Sequence, residues 1–253
     1  MSDFYQNGVI TNFHNLNQRS LEDLERELVR CARRRPMGLI LPSLYSELEG
    51  PALSHIVDEL ARVPYLNEII IGLDRADRDQ FLRAREFFSR LPQHHRILWN
   101  DGPRLRALDA ELQTEDLAPS EPGKGRNVWY CGGYAQISRR TEAVALHDCD
   151  IVTYDRGLLA RLIYPVANPQ FNYEFCKGYY PRIADGKLNG RVARLMVTPM
   201  LRALKKIYGN LPYLEYLDSY RYPLSGEFSM RTDPLESIRI PSDWGLEIGV
   251  LSE

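Results

Sequence analysis

Ala143-Val144-Ala145-Leu146-His147-Asp148-Cys149-Asp150 is an apolar run of strand length that delivers two carboxylates one residue apart. A short apolar run bounded by polar residues reads as a buried strand. Toward the N-terminus the same pattern recurs three times. Met37-Gly38-Leu39-Ile40-Leu41 predicts a buried strand stopped by Pro42-Ser43. Glu68-Ile69-Ile70-Ile71-Gly72-Leu73 predicts a second, ending in Asp74-Arg75-Ala76-Asp77, and Arg96-Ile97-Leu98-Trp99 a third, leading into Asn100-Asp101-Gly102. Helical periods lie between them: Leu53, Ile56, Val57, Leu60 and Ala61 share a face, and 80–91 is again helical. Ahead of them all, Ser20-Leu21-Glu22-Asp23 opens an amphipathic helix to about residue 34, with Leu21, Leu24, Leu28 and Cys31 on one side and Pro36 as its stop.

Strand and helix in alternation predict an α/β fold with a Rossmann-like, mostly parallel central sheet and flanking helices. Ligands on such sheets bind outside the carboxyl ends of the strands. The loops at 42–47, 74–77 and 100–102 are therefore expected to line one crevice with Asp148 and Asp150. The turn-rich segment 118–125 precedes a predicted helix through Arg139. Past Asp150 the order is less regular: aromatics and turns fill 164–180, a helix is predicted over 192–208, and loops run to 242. Residues 245–253 read as the start of a helix with no stop signal, so the chain is expected to be a fragment of something longer.

The whole chain narrows the chemistry. Its 253 residues fit one large domain, 44% are hydrophobic and 26% charged, and the net charge is −2. The 32 basic residues are scattered, which argues against a nucleic-acid partner. No apolar stretch approaches the ~20 residues of a membrane span. Residues 1–17 lack the order of a signal peptide. Cys31, Cys131, Cys149 and Cys176 are far apart and read as free thiols, for which cytoplasm is the default compartment.

Asp148-x-Asp150 at a strand end suits a hard divalent cation, Mg²⁺ or Mn²⁺. Such an ion needs oxygen ligands and takes only one or two from the protein when phosphates supply the rest. The same residues are also those of a solvated turn. Gly123-Lys124-Gly125 ahead of a helix offers amides and an ammonium to a phosphate, and is equally the composition of a flexible linker. Gly190-Arg191 opening the 192–208 helix pairs a helix N-terminus with a guanidinium, or is a surface arginine. Glu247 either faces a sugar or lies on an exposed helix. His147 is either a metal ligand or, on strand alternation, a buried hydrogen-bonded histidine. Cys149 points away from both aspartates and reads as packing.

In their order these segments resemble the glucosyl-3-phosphoglycerate synthases, retaining glycosyltransferases of the GT-A fold, and their mannosyl-using relatives. Leu41-Pro42-Ser43-Leu44-Tyr45-Ser46-Glu47 is similar to the family's donor loop, with Tyr45 and Ser46 in place of Asn and Glu. Gly123-Lys124-Gly125 and Asp148-Cys149-Asp150 match in turn. They are followed by Phe175-Cys176-Lys177-Gly178-Tyr179-Tyr180-Pro181-Arg182 and Gly190-Arg191-Val192. Pro223-Leu224-Ser225-Gly226-Glu227-Phe228 and Trp244-Gly245-Leu246-Glu247-Ile248-Gly249 complete the series, which spans 37 to the end.

The resemblance implies a GT-A domain over 37–253 behind an N-terminal helical segment over 1–36. Within it, 37–150 would bind the nucleotide sugar and 151–253 the acceptor. Pro42, Ser43, Leu44, Glu47, Asp74, Lys124 and Asp148 would hold the donor. Asp148 and Asp150 would be the metal ligands, and Asp150 and Glu247 the catalytic groups. Gly190 and Arg191 would bind the acceptor. The implied reaction moves a hexose from a nucleotide sugar, UDP-glucose favoured over GDP-mannose, to a small phosphorylated or carboxylate acceptor such as 3-phosphoglycerate. A homodimer is the candidate assembly. Ala193 replaces an acceptor-binding Thr. The family's third metal ligand is a His beyond the last motif, which this sequence does not reach; either the chain is cut short or its metal site is incomplete. Two other readings stand beside this one: a catalytically inactive GT-A module that binds nucleotide, and a metal-dependent nucleotidyltransferase, which a glycine-rich loop after the first strand would favour and Pro42-Ser43-Leu44 does not supply.

Overall fold

Ser20 does what a serine before an apolar period should: its hydroxyl accepts from the Asp23 amide at 3.1 Å, and helix α1 runs Leu21–Ala32. In this computed structural model residues 8–13, 16–119, 121–180, 183–184, 187–188 and 190–253 are described. Strand β1, Met37–Leu44, passes a short 3₁₀ turn over Tyr45–Glu49 into α2, Pro51–Leu60; β2, Leu66–Asp74, leads to α3, Arg78–Phe88. Strand β3, His95–Trp99, is followed by α4, Pro103–Thr114, and α5, Lys124–Ser138; β4, Ala143–Leu146, by α6, Arg156–Ala167. Then come β5, Phe175–Lys177, and a small hairpin of β6, Ile183–Ala184, with β7, Lys187–Leu188. A π-helical turn over Ala193–Val197 enters α7, Thr198–Tyr208, before α8, Pro212–Ser219, β8, Phe228–Arg231, and α9, Leu246–Ser252.

Among the described residues the main sheet has the order β3-β2-β1-β4-β8-β5. The first four strands are mutually parallel, β8 runs antiparallel to β4, and β5 antiparallel to β8. Strands from the second half of the chain thus extend the sheet built by the first. Side-chain alternation splits the core into two layers. Leu39, Leu41, Ile69, Ile71, Ala143 and Ala145 pack on the face covered by α1, α2, α3 and α6. Ile40, Ile70, Val144 and Leu146 pack on the other face with Val128 and Cys131 of α5 and Leu246 and Val250 of α9.

Several expectations are corrected. Strand β1 is not stopped by Pro42-Ser43 but continues to Leu44. Pairing with β4 ends at Ile40, so Pro42 lies where the strand is bonded on one side only, a position that tolerates a residue without an N–H. Helix α4 buries none of its residues, so its apolar residues carried no periodic signal. Helix α6 is buried nearly all round and carries Pro165 in its last turn, which hides a helix from a periodicity reading. The stretch expected as loops contains α8 and β8. Residues 245–253 are helical over Leu246–Ser252, as expected. All four cysteines are free thiols. No helix among the described residues is long and apolar enough to cross a membrane.

Candidate active site

The carboxyl ends of β1, β2, β3 and β4 open onto the same side of the sheet, and the predicted loops meet there. Asp74, closing β2, accepts from Asn100 Nδ2 and from Asn127 Nδ2, both at 2.8 Å. The Ala76 amide donates to Asp101 Oδ2 at 3.1 Å. Both Asp74 oxygens are therefore engaged by the chain's own amides. Burial pushes the Asp74 carboxyl up, and the two amides oppose it.

Within the loop after β1, Pro42 and Ser43 are buried, Leu44 and Glu47 partly so. Glu47 Oε2 accepts from the Leu44 amide at 3.0 Å, and Ser43 Oγ donates to the Leu44 carbonyl at 3.1 Å. Burial pushes the Glu47 carboxyl up, and the charges of Asp150 and Asp148 add to that push. Tyr45 turns into the core and Ser46 out to solvent, so these two departures from the family loop face opposite ways.

At the end of β4, His147 is buried, Asp148 partly exposed, Cys149 buried in the core and Asp150 exposed. The expectation for Cys149 holds. His147 is buried as strand alternation implies, but it is not hydrogen-bonded: among the described residues neither ring nitrogen has a partner. It lies edge-on to Tyr154, centroids 5.4 Å apart, and burial lowers its pKa to about 4 against an opposing push from Glu227.

Lys124 begins α5, and its ammonium lies 2.6 Å from Asp148 Oδ1 and 2.9 Å from Glu247 Oε1. Burial disfavours its charge, but the two carboxylates outweigh that and hold its pKa above the ordinary lysine value. Glu247, in the first turn of α9, is thus brought to Asp148 through one lysine. Of the amides expected to meet a phosphate, that of Gly125 donates to the Asp243 carbonyl at 3.4 Å, and the next one along, Arg126 N, donates to the Ser242 carbonyl at 2.7 Å. Of the Gly123-Lys124-Gly125 segment, it is the ammonium that remains directed at the carboxylates.

Gly190, with φ +82°, precedes an exposed Arg191 at the start of the helical turn, whereas Lys124, Asp148 and Glu247 take their ion pairs among themselves. Two side chains that sequence reasoning did not single out, Lys177 and Glu227, stand close enough to this cluster to interact with it electrostatically. Lys177 Nζ donates to the Ser225 carbonyl at 2.7 Å, and burial lowers its pKa to about 8 against the opposing charges of Glu247 and Glu227. Glu227, only 2% exposed, accepts from Ser225 Oγ at 2.8 Å and from the Tyr180 hydroxyl. A lysine and a glutamate set inside short apolar stretches were the available sign, since such residues are seldom buried without a role. Among the described residues no group of three or more His, Cys, Asp or Glu side chains is gathered as a metal set.

No family model matches the chain. It is 49% identical over all 253 residues to a curated glucosyl-3-phosphoglycerate synthase of Persephonella marina, covering 62% of that protein. A second protein of that name, from Methanococcoides burtonii, is 39% identical over 99% of the chain and is likewise covered to 62%. The chain therefore spans about 62% of the length of these relatives. In structure it superposes with TM-score 0.62 on glucosyl-3-phosphoglycerate synthase of Mycobacterium tuberculosis in complex with Mn²⁺ and UDP-glucose. That match has 22% identity and covers 90% of this chain and 67% of the other. The chain has the GT-A fold expected of it, and over its whole length it is similar in sequence to glucosyl-3-phosphoglycerate synthases.

Proposed function

We propose that this chain carries the donor site of a metal-dependent, retaining hexosyltransferase, moving glucose from UDP-glucose to 3-phosphoglycerate or a close acidic analogue. The observation that supports this most is Lys124 held between Asp148 and Glu247 at the carboxyl end of the sheet, beside Glu47 and Asp150. Two carboxylates with one ammonium form a donor set suited to a hard divalent cation together with a diphosphate. Mg²⁺ or Mn²⁺ would be held by Asp148 and Asp150 and would supply charge neutralisation for the departing diphosphate. Pro42, Ser43, Leu44 and Asp74 line the base-and-ribose side, and Lys124 leaves its carboxylates for the phosphates. Glu247 faces the transferred sugar, and Gly190-Arg191 takes the acidic acceptor. The acceptor hydroxyl attacks the anomeric carbon, the bond from that carbon to the diphosphate breaks, and the hydroxyl proton passes to the leaving phosphate oxygen. Residues 37–150 form the donor half and 151–253 the acceptor half of one domain, working in the cytoplasm.

Transfer from UDP-glucose to 3-phosphoglycerate with Mn²⁺, followed by NMR of the product anomer, tests this reading. The Asp150→Ala variant should remain folded and lose metal-dependent transfer; full activity in that variant would refute the metal assignment. A thermal-shift series of UDP- and GDP-sugars with Mn²⁺ identifies the donor, because the tightest ligand stabilises most. The second reading, a module that binds nucleotide without turnover, draws on the two-carboxylate metal set. Donor binding with neither transfer nor hydrolysis would establish it instead.

A further inference from the structure

Two segments of the sequence have no role in the reaction described above: 175–180, with Lys177 and Tyr180, and 223–228, with Ser225, Gly226 and Glu227. In the structure they form one unit. The Gly178 amide donates to the Glu227 carbonyl at 2.8 Å, continuing the pairing of β5 with β8 past its end. Lys177 Nζ reaches the Ser225 carbonyl at 2.7 Å. Ser225 Oγ, at 2.8 Å, and the Tyr180 hydroxyl both donate to the same oxygen of Glu227. A buried carboxylate is costly unless hydrogen-bonded, and here its bonds lock the backbone turn between Ser225 and Glu227.

Gly226 at the centre of that turn lies against Asp148. A Cβ built on it would be 2.3 Å from Asp148 Oδ2 and 2.9 Å from Asp148 Cγ, closer than any side chain can approach. Asp148 Oδ1 is meanwhile held by Lys124 at 2.6 Å. One carboxylate oxygen is thus fixed by an ammonium and the other faces a backbone wall. From this geometry we infer that the 177–180 and 225–227 unit is a positioning platform for Asp148, setting the direction in which its carboxylate meets the metal and donor. Lys177, Tyr180 and Glu227 then act through Gly226 as positioning residues. The inference rests on the reading of Asp148 as a metal and donor ligand.

The test compares Gly226→Ala with Gly133→Ala, a matched control in α5 at which an added Cβ meets nothing within 4 Å. Mn²⁺ affinity is measured by electron paramagnetic resonance, and kcat and acceptor KM by transfer assay. Supporting groups behind metal ligands typically change affinity by about 10- to 100-fold when removed. Gly226→Ala is expected to fold, bind Mn²⁺ on the order of tenfold more weakly and lose kcat in proportion, with acceptor KM unchanged. Gly133→Ala should match wild type. Tyr180→Phe and Glu227→Ala should weaken Mn²⁺ binding in the same direction, and Glu227→Gln, which keeps an acceptor oxygen for both hydroxyls, should restore most of it; these carry the test if Gly226→Ala does not fold. Asp148→Asn separates the two claims. If it retains wild-type Mn²⁺ affinity and turnover, the reading of Asp148 fails. If it loses them while folded Gly226→Ala and Tyr180→Phe behave as wild type, the platform is overturned.

Discussion

Lys124 Nζ lies 2.6 Å from Asp148 Oδ1, joining the first turn of a helix to the loop beyond a strand that is the helix's nearest successor in the chain. The same ammonium reaches Glu247, so one cation serves two acids that are 99 positions apart in the sequence. Charge-assisted bonds of this kind are short and directional, and they fix where both carboxylates stand.

Replacing Lys124 by Met leaves two partly buried carboxylates facing one another without a cation. Like charges so placed favour protonation of one of them. The variant is expected to fold, as judged by circular dichroism, and to lose kcat/KM for donor on the order of 10²- to 10³-fold, the loss typical of removing one preorganised charge contact. Lys124→Arg keeps the charge but not the point geometry and should recover only part of the loss. Wild-type steady-state kinetics in Lys124→Met would exclude Lys124 from the donor site.

Glu47 shows the stability cost of the same site. Its folded-state carboxyl is raised above the unfolded value, chiefly by burial and then by Asp150 and Asp148. The native chain therefore binds this proton more tightly than the unfolded chain. As pH rises from the unfolded value through the folded one, stability falls, and the full penalty is present at neutral pH. Glu47→Gln keeps an oxygen for the Leu44 amide and removes the charge, so its Tm should exceed that of wild type at pH 7 and converge with it in acid. Donor affinity, read by calorimetry with UDP-glucose, should fall at the same time, the trade expected where an active site holds strained charge. A variant less stable than wild type at pH 7 would reverse the sign.

Much of this is legible in the sequence alone. Strands β1 to β4 announced themselves because each is a run of apolar residues with a polar end, and the polar ends mark the crevice. Asp74 meets Asn100, and Asp148 lies beyond the same edge of the sheet, because parallel strands bring all their carboxyl ends to one side. What the sequence hid is of two kinds. Helix α6 is buried on nearly every side, its charged residues being Arg156 and Arg161, and so has little period to detect, and α4 has no buried face at all. The platform under Asp148 depends on contacts between 177–180 and 225–227, which no local pattern encodes. Gly226 looks like any turn glycine until the carboxylate beside it is seen.

His147 predicts an acid-labile fold. Its ring is fully buried without a hydrogen-bond partner, and its pKa is lowered to about 4. The unfolded chain takes up the proton near the ordinary value of about 6.5, the folded chain only near 4. Stability is complete above the upper value and drains away as pH falls toward the lower, by about 3 kcal/mol from this residue. His147→Leu replaces an unsatisfied polar ring with an apolar side chain and should flatten that acid loss without lowering stability at pH 7. Urea denaturation between pH 4.5 and 7.5 measures it; parallel curves for the two proteins would show that His147 is not the group responsible.

Gly125 couples the stability of the fold to the position of Glu247. A Cβ there would lie 1.7 Å from the Pro241 carbonyl oxygen, a rigid backbone atom, and 2.8 Å from its carbon. The segment it would push is the one whose Ser242 carbonyl accepts from Arg126 at 2.7 Å and which leads directly into α9. Gly125→Ala must therefore drive 241–243 away from the N-terminus of α5 and carry Glu247 off Lys124. Overpacking of this kind costs about 1–3 kcal/mol, so the variant should melt several degrees below wild type while still folding. Its transfer activity should fall further than stability accounts for, because at temperatures well below the melting transition the population is folded but the Lys124–Glu247 contact is broken. If activity at such a temperature equals that of wild type, Glu247 does not act through its place beside Lys124.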